Sequence, residues 1–306
     1  MIDEQFAHPS AAPLLQEVRE LFLTKPMFQK QDRPIVFLCG GPVKPGSRNM
    51  RANFVTWTER YFPELVIILA ENAFKHTQIY SPLEVVNLSE FETLIASVAD
   101  CVLLFPESAG SFAELGLFSG SPKVSKKMLV ANGVEHQAKE SFVNLGPIRT
   151  IDKTAALRPT ILVAKRGGRF DFRPLKQRLQ RLTTRPRRKS FQYVTYDQLE
   201  YLGKVLIVLE MISIFQFVTI EGLYQCVRTV FDSAKAAELK RLLSILTGAG
   251  YVEFRDELYF LSSKRSSLLE FDGYELSDIR ARILHYYKRY RKDIYRRFKQ
   301  ALHATR

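Results

Sequence analysis

Five short apolar runs constrain the first half of this chain more than any other feature: 34–39 (PIVFLC), 65–70 (LVIILA), 101–105 (CVLLF), 127–131 (KMLVA) and 160–164 (TILVA). Each is too short for a helix and almost continuously apolar, the pattern of a strand buried on both faces of a parallel sheet. The stretches between them have helical period. In 88–99, for example, Leu88, Phe91, Leu94, Ile95 and Val98 share one stripe, and a second helix is expected over 49–61. Strands alternating with helices predict βα units: a flavodoxin- or Rossmann-like α/β domain, with a mainly parallel sheet and helices on both faces.

A sheet of this kind binds ligands at the carboxyl ends of its strands. Three such ends carry polar or small residues. Gly40 and Gly41 follow the first strand and would let a ribose or phosphate approach the backbone. Glu71 follows the second. After the third, Pro106 opens a loop containing Glu107, Ser108, Gly110 and Ser111 before a helix that carries Glu114. The N–H groups at a helix start suit an anion or sugar oxygens. A carboxylate at a strand mouth can stabilise or trap the oxocarbenium-like centre made when a glycosidic bond breaks. Arg48 or Arg51 can pair with a pyrophosphate. A rival reading exists for Glu114: 111–114 (SFAE) fits a helix capping box, in which Glu114 would bond only the Ser111 N–H. The segment 141–150 (SFVNLGPIRT) reads as turn-like.

Charge separates the two halves. Residues 1–150 hold 14 Lys and Arg against 16 Asp and Glu, whereas 151–306 hold 31 against 16, so the whole excess of +13 lies in the second half. That asymmetry points to a nucleic-acid partner for one part of the chain. Cys39, Cys101 and Cys226 are odd in number and lack metal-ligand spacing, and the histidines are scattered. Disulfides and a metal site are therefore not expected, and a reducing bacterial cytoplasm is. The start of the chain has no signal pattern, and the most apolar window, 205–220, is interrupted by Glu210 and Gln216, so no membrane role is expected. The absence of a Walker loop and of GxGxxG disfavours an NTPase or an ordinary dehydrogenase.

These patterns divide the chain into a helical lead-in (1–33), an α/β domain (34–165), a basic linker (166–195) and a mostly helical domain (196–306). The linker includes Arg185, Arg187, Arg188 and Lys189. Helices are expected over 196–214, 220–231 (capped by Thr219) and 234–247 (capped by Asp232 or Ser233). With the hairpin-like stretch after them they outline a winged helix. One last helix, 276–302, interleaves tyrosines with Lys288, Arg289, Arg291, Lys292, Arg296 and Arg297, the composition of a phosphate-contacting face.

The run 109–116 (AGSFAELG) resembles the nucleophile motif of nucleoside 2-deoxyribosyltransferases. That resemblance implies that Glu114 attacks the anomeric carbon and that Glu92 orients or protonates the base. The family has an acid where this chain has Ser108. Over nearly the whole chain, 37–41 (FLCGG), 104–116 and 141–149 resemble the ribosyltransferase-like effector proteins of type II retrons. That resemblance implies an anti-phage effector held inactive by a retron reverse transcriptase and its msDNA. It further implies a homo-oligomer or filament, and an N-glycosidase that consumes NAD⁺ as substrate without a separate cofactor. The alternatives are a housekeeping nucleoside 2-deoxyribosyltransferase and a non-enzymatic, nucleotide-sensing DNA-binding regulator.

Overall fold

The apolar runs pair as a parallel sheet because each is buried on both faces and needs covalent crossovers long enough to hold a helix. The computed structural model describes residues 5–30, 33–80, 87–136, 140–183, 188–193 and 195–303. They fall into two compact units: an α/β unit (33–72 and 83–185) and a basic unit (1–32, 73–82 and 186–306).

The α/β unit is built on β1 (Ile35–Cys39), β2 (Val66–Ile68), β3 (Cys101–Leu104), β4 (Met128–Gly133) and β5 (Ile161–Val163), with helices α1 (Met50–Tyr61), α2 (Ala70–Tyr80, which runs on into the basic unit), α3 (Leu88–Val98) and α4 (Ala109–Ser119). The strand order is β2-β1-β3-β4-β5, all parallel. This is the doubly wound α/β fold predicted above. The chain leaves β1 toward one edge and returns through β3 on the other side. The carboxyl ends of β1 and β3 therefore flank the switch point, where the fold opens a crevice. Cys39 pairs in register with Leu104 at those ends.

The stretch expected to be a basic linker is largely structured. Residues Arg173–Thr183 form helix α5, whose Leu175, Leu179 and Leu182 are buried in one core with Val36, Leu38 and Leu103. Spacings of four and three residues put those leucines on one face, while Arg173 and Arg181 are exposed and the half-buried Arg178 donates to the Leu157 carbonyl. Each such burial contributes roughly 1.5–3 kcal/mol, enough to dock a helix whose net composition is basic. Arg188 and Lys189 lie in a strand of the basic unit (Arg188–Phe191), and Arg185 and Arg187 lie outside the described residues. The turn-like stretch 141–150 is also helical: a π-helical turn at Asn144–Ile148 leads into the short helix Arg149–Thr154.

The basic unit contains α6 (Tyr201–Phe215), α7 (Ile220–Phe231) and α8 (Ala236–Gly248). Thr219 caps α7 as expected, its hydroxyl accepting from the Gly222 N–H at 3.0 Å. Neither Asp232 nor Ser233 caps α8, which begins after Lys235 with no side-chain cap. A hairpin, Val252–Arg255 with Leu258–Leu261, follows, and Phe217–Val218 pairs on its second strand. A second antiparallel sheet places Met27–Lys30 between Arg188–Phe191 and Leu269–Phe271. The last basic helix is two helices, α9 (Ser277–Tyr290) and α10 (Lys292–His303). They part at Arg291, whose guanidinium turns back onto Asp293 at 3.0 and 3.2 Å. No helix among the described residues is long and apolar enough to cross a membrane, and none of their His, Cys, Asp and Glu residues gather in a metal-holding group.

Candidate active site

The loop after β3 is organised by its serines. Ser108 is the N-cap of α4: its hydroxyl accepts from the Ser111 N–H at 3.2 Å, and the Ser111 hydroxyl accepts from the Ser108 N–H at 2.9 Å. The capping box is thus S-x-x-S over 108–111, one turn earlier than the S-x-x-E reading over 111–114. The rival assignment for Glu114 falls away, because its carboxyl lies in the second turn, beyond the cap. Ser108 and Ser111, both expected to contact substrate, are engaged in holding the helix start. A Cβ on Gly110 would meet nothing within 4 Å, so the first turn of α4 is open.

Glu107, also expected to contact substrate, ties three elements together. Its carboxylate accepts from the backbone N–H groups of Gly41 (3.1 Å), Met50 (2.7 Å) and Arg51 (3.0 Å). It thereby occupies the anion-binding start of α1. The packing also explains the glycines. A Cβ on Gly41 would lie 2.9 Å from Asn49 and 3.2 Å from Glu107, and one on Gly40 (φ +152°) would lie 3.0 Å from the Arg51 Cβ. The chain's own side chains fill the space that was assigned to a ligand's approach. Arg48 is exposed just before the cap of α1.

Arg51 stands at the centre. It is 6% exposed, and its guanidinium donates to the carbonyls of Leu38 and Gly41 at 3.1 Å each. It also grips Glu71 in a two-pronged pair at 3.0 and 2.8 Å. This engagement leaves Glu71 as the counter-ion of Arg51 and makes Arg51 a fixed cation of the site. Around that cation lie two further carboxyls. Glu92, on α3, is buried, and burial pushes its pKa up to about 6 against the pull of Arg51. Glu114 is pushed up to about 7, first by burial and then by the charge of Glu92; Arg51 and a hydrogen bond from the Cys39 thiol act the other way. The Oε2 of Glu114 is buried without a hydrogen-bond partner. The Cys39 thiol is held far above its ordinary range by burial and the neighbouring carboxylates, so it remains an S–H donor.

Two acids with pKa values near 6 and 7 hold, near neutrality, a mixture of protonated and ionised carboxyls. Separated carboxyl pKa values are what general acid and nucleophile roles require. The structure brings Glu92 and Glu114 together, as the motif implied, and adds Arg51 with Glu71, and Cys39. Sequence reading placed Cys39 only in a buried strand. The available signal was its place as the last residue of β1, beside the glycines.

The fold and these residues define a doubly wound α/β domain with paired carboxyls at its topological switch point. Residues 47–254, more than half of the chain, match the model of the STM3845 retron effector protein family, and the chain belongs to that family. Two curated Escherichia coli proteins are similar. The retron Ec73 "putative ribosyltransferase/DNA-binding protein" is 32% identical over 120 residues, which are 39% of this chain and 38% of the relative. The retron Ec86 protein of the same description is 32% identical over 124 residues, 39% of this chain and 37% of the relative. Each match thus spans well under half of the relative's length.

Proposed function

We propose that this retron effector cleaves the N-glycosidic bond of NAD⁺ or a related nucleotide at Glu114. It is then held inactive, until triggered, by a complex of the retron reverse transcriptase and msDNA. The observation that carries the reading is the buried, unpartnered Oε2 of Glu114 beside Glu92. A carboxylate oxygen with no protein partner is available to a developing oxocarbenium carbon.

In the proposed reaction the C1′–N bond to nicotinamide breaks, and its electron pair leaves with the neutral pyridine, which needs no proton. Ionised Glu114 forms a bond to C1′ or shields its charge. Water then attacks C1′, the C1′–O bond to Glu114 breaks where it has formed and returns its electron pair to the Glu114 carboxylate, and the water proton passes to the Glu92 carboxylate. Transfer between nucleosides is the weaker reading. The position at which the deoxyribosyltransferases have an acid is Ser108, which is engaged in the cap.

Exposed Lys288, Arg289, Lys292 and Arg296 on α9 and α10 support a nucleic-acid-binding role for the basic unit, whose helices and hairpin follow a winged-helix-like order. The name shared by both relatives, which pairs ribosyltransferase with DNA binding, points the same way. Incubating the full chain with NAD⁺, alone and with its reverse transcriptase and msDNA, tests the reading. Nicotinamide release by the chain alone, suppressed in the complex, is the expected result. No release under any condition, or release unchanged in Glu114→Gln, overturns it.

A further inference from the structure

The basic unit contains a second constellation that the glycosidase reading does not use. A cavity of about 380 Å³ opens beside α6 and the start of α9, and Lys30, Glu210, Ser267, Phe271, Tyr274 and Arg280 are among its lining residues. Its volume is within the range of small-molecule sites.

Glu210 is fully buried in the largely apolar helix α6. Its Oε2 accepts from the Ser267 hydroxyl, while Oε1 has no partner. A buried carboxyl with a vacant oxygen is costly unless something completes it. Burial raises its pKa to about 8, and the charge of Arg280 is the largest influence opposing that rise, with the Leu269 N–H and Lys30 also opposing it. Arg280 is held in place by Ser213, with Nε donating to the carbonyl at 3.0 Å and Nη2 to the hydroxyl at 2.5 Å. The cavity therefore presents a fixed guanidinium donor and a carboxyl oxygen in need of a partner. Two aromatic side chains share its wall, and Tyr274 is itself anchored through its hydroxyl to Glu17 at 3.0 Å.

A ligand that satisfies all three features is planar, stacks on an aromatic face and carries a hydrogen-bond donor next to an acceptor along one edge. An unstacked nucleobase has that form: its exocyclic amino group can donate to a carboxylate, its ring or carbonyl acceptor can take a guanidinium N–H, and its face can stack. We infer that the Glu210–Arg280 cavity is a nucleobase site, selective for bases with an exocyclic amino group. The base could be supplied by a free nucleotide or by a splayed position in a single strand. Lys30, also among the lining residues, is paired with Glu270 at 3.1 Å.

The test measures binding, so it does not depend on the glycosidase reading. It uses the full chain carrying Glu114→Gln, which prevents turnover from removing the probe. Calorimetric titrations at pH 8.5 with CMP, UMP and the decamers oligo(dC) and oligo(dT) should show CMP and oligo(dC) binding roughly tenfold or more tighter than UMP and oligo(dT). Binding of CMP assigns the site to free nucleotides, and binding of oligo(dC) alone assigns it to single strands. Adding Glu210→Gln should abolish the preference. If that variant does not fold, Ser266→Trp, at an exposed lining position, should block binding without touching the core. Equal binding of all four probes, no binding at millimolar concentration, or binding unaffected by both substitutions overturns the inference.

Discussion

At the residue scale, the vacant Oε2 of Glu114 gives its neighbours opposite roles. Glu92 raises the Glu114 pKa through its charge, and the Cys39 S–H lowers it by bonding the ionised form. If ionised Glu114 is the reacting species, the rate should rise with pH to a plateau above about 7. Glu92→Gln should move that limb to lower pH and Cys39→Ala to higher pH; shifts of the same sign in both variants would refute the arrangement. Stability should respond inversely. Both acids have folded pKa values above 4.5, so the folded state holds more protons than the unfolded chain between about pH 4.5 and 7. Stability is then lost as pH rises through that window. Glu114→Gln removes the cost of ionising a buried acid, so the variant should melt higher than the parent at pH 8 by on the order of 1–3 kcal/mol. The difference should vanish at pH 4.5, as thermal melts at both pH values would show. The two acids were legible because each lies in a recognisable local pattern. The locks around them were not: Glu107 reaches back to Gly41, Met50 and Arg51, and Arg51 reaches forward to Glu71, pairings that only the closed sheet creates.

At the scale of elements, the strands were readable because a strand buried on both faces needs a continuous apolar run, and nothing in 34–39 or 101–105 competes with that demand. Helix α5 was hidden because its apolar face is only Leu175, Leu179 and Leu182, surrounded by four cationic residues that dominate its composition. Its role in the core is measurable. Leu179→Ala should destabilise the α/β unit by about 2–5 kcal/mol in denaturant melts, because the fully buried side chain would leave a cavity; a change near zero would mean that the segment is the loose linker its charge suggests. The division of the last helix at Arg291 was equally illegible. Every residue from 286 to 298 tolerates a helix, and the break depends on how Tyr287, Ile294 and Phe298 find separate places: Tyr287 and Phe298 both pack on the Phe217 ring, at 4.4 and 4.1 Å.

Across the whole molecule, the linear division into lead-in, domain, linker and domain gives way to two units assembled from separated segments. Met27–Lys30 forms the middle strand of a sheet in the basic unit. Gln5 is buried there, donating to the Phe217 carbonyl at 3.0 Å and accepting from the Thr219 N–H at 2.9 Å. A composition profile cannot show such pairings, whereas it did locate the positive charge. The structure then sorts that charge. Arg297 is bound to Glu257 at 2.9 Å, Arg291 to Asp293, and Arg188 to Asp272 at 3.0 Å, while Lys288, Arg289, Lys292 and Arg296 are exposed. Tyr286 and Tyr287 are buried, so these aromatics support the fold rather than offering faces to bases. A surface of lysines and arginines acts through phosphate neutralisation, and each contact adds about 0.7 to the salt slope for a single strand or 0.9 for a duplex. Replacing Lys288, Arg289, Lys292 and Arg296 together by Gln should therefore flatten the plot of log K against log salt by about 2.8 for single-stranded and about 3.6 for duplex DNA, with the melting temperature little changed. Arg297→Gln should do the reverse, leaving the slope near that of the parent while weakening the grip of α10 on the hairpin turn at Asp256 and Glu257. A quadruple variant with an unaltered slope would place the nucleic-acid contact elsewhere in the chain.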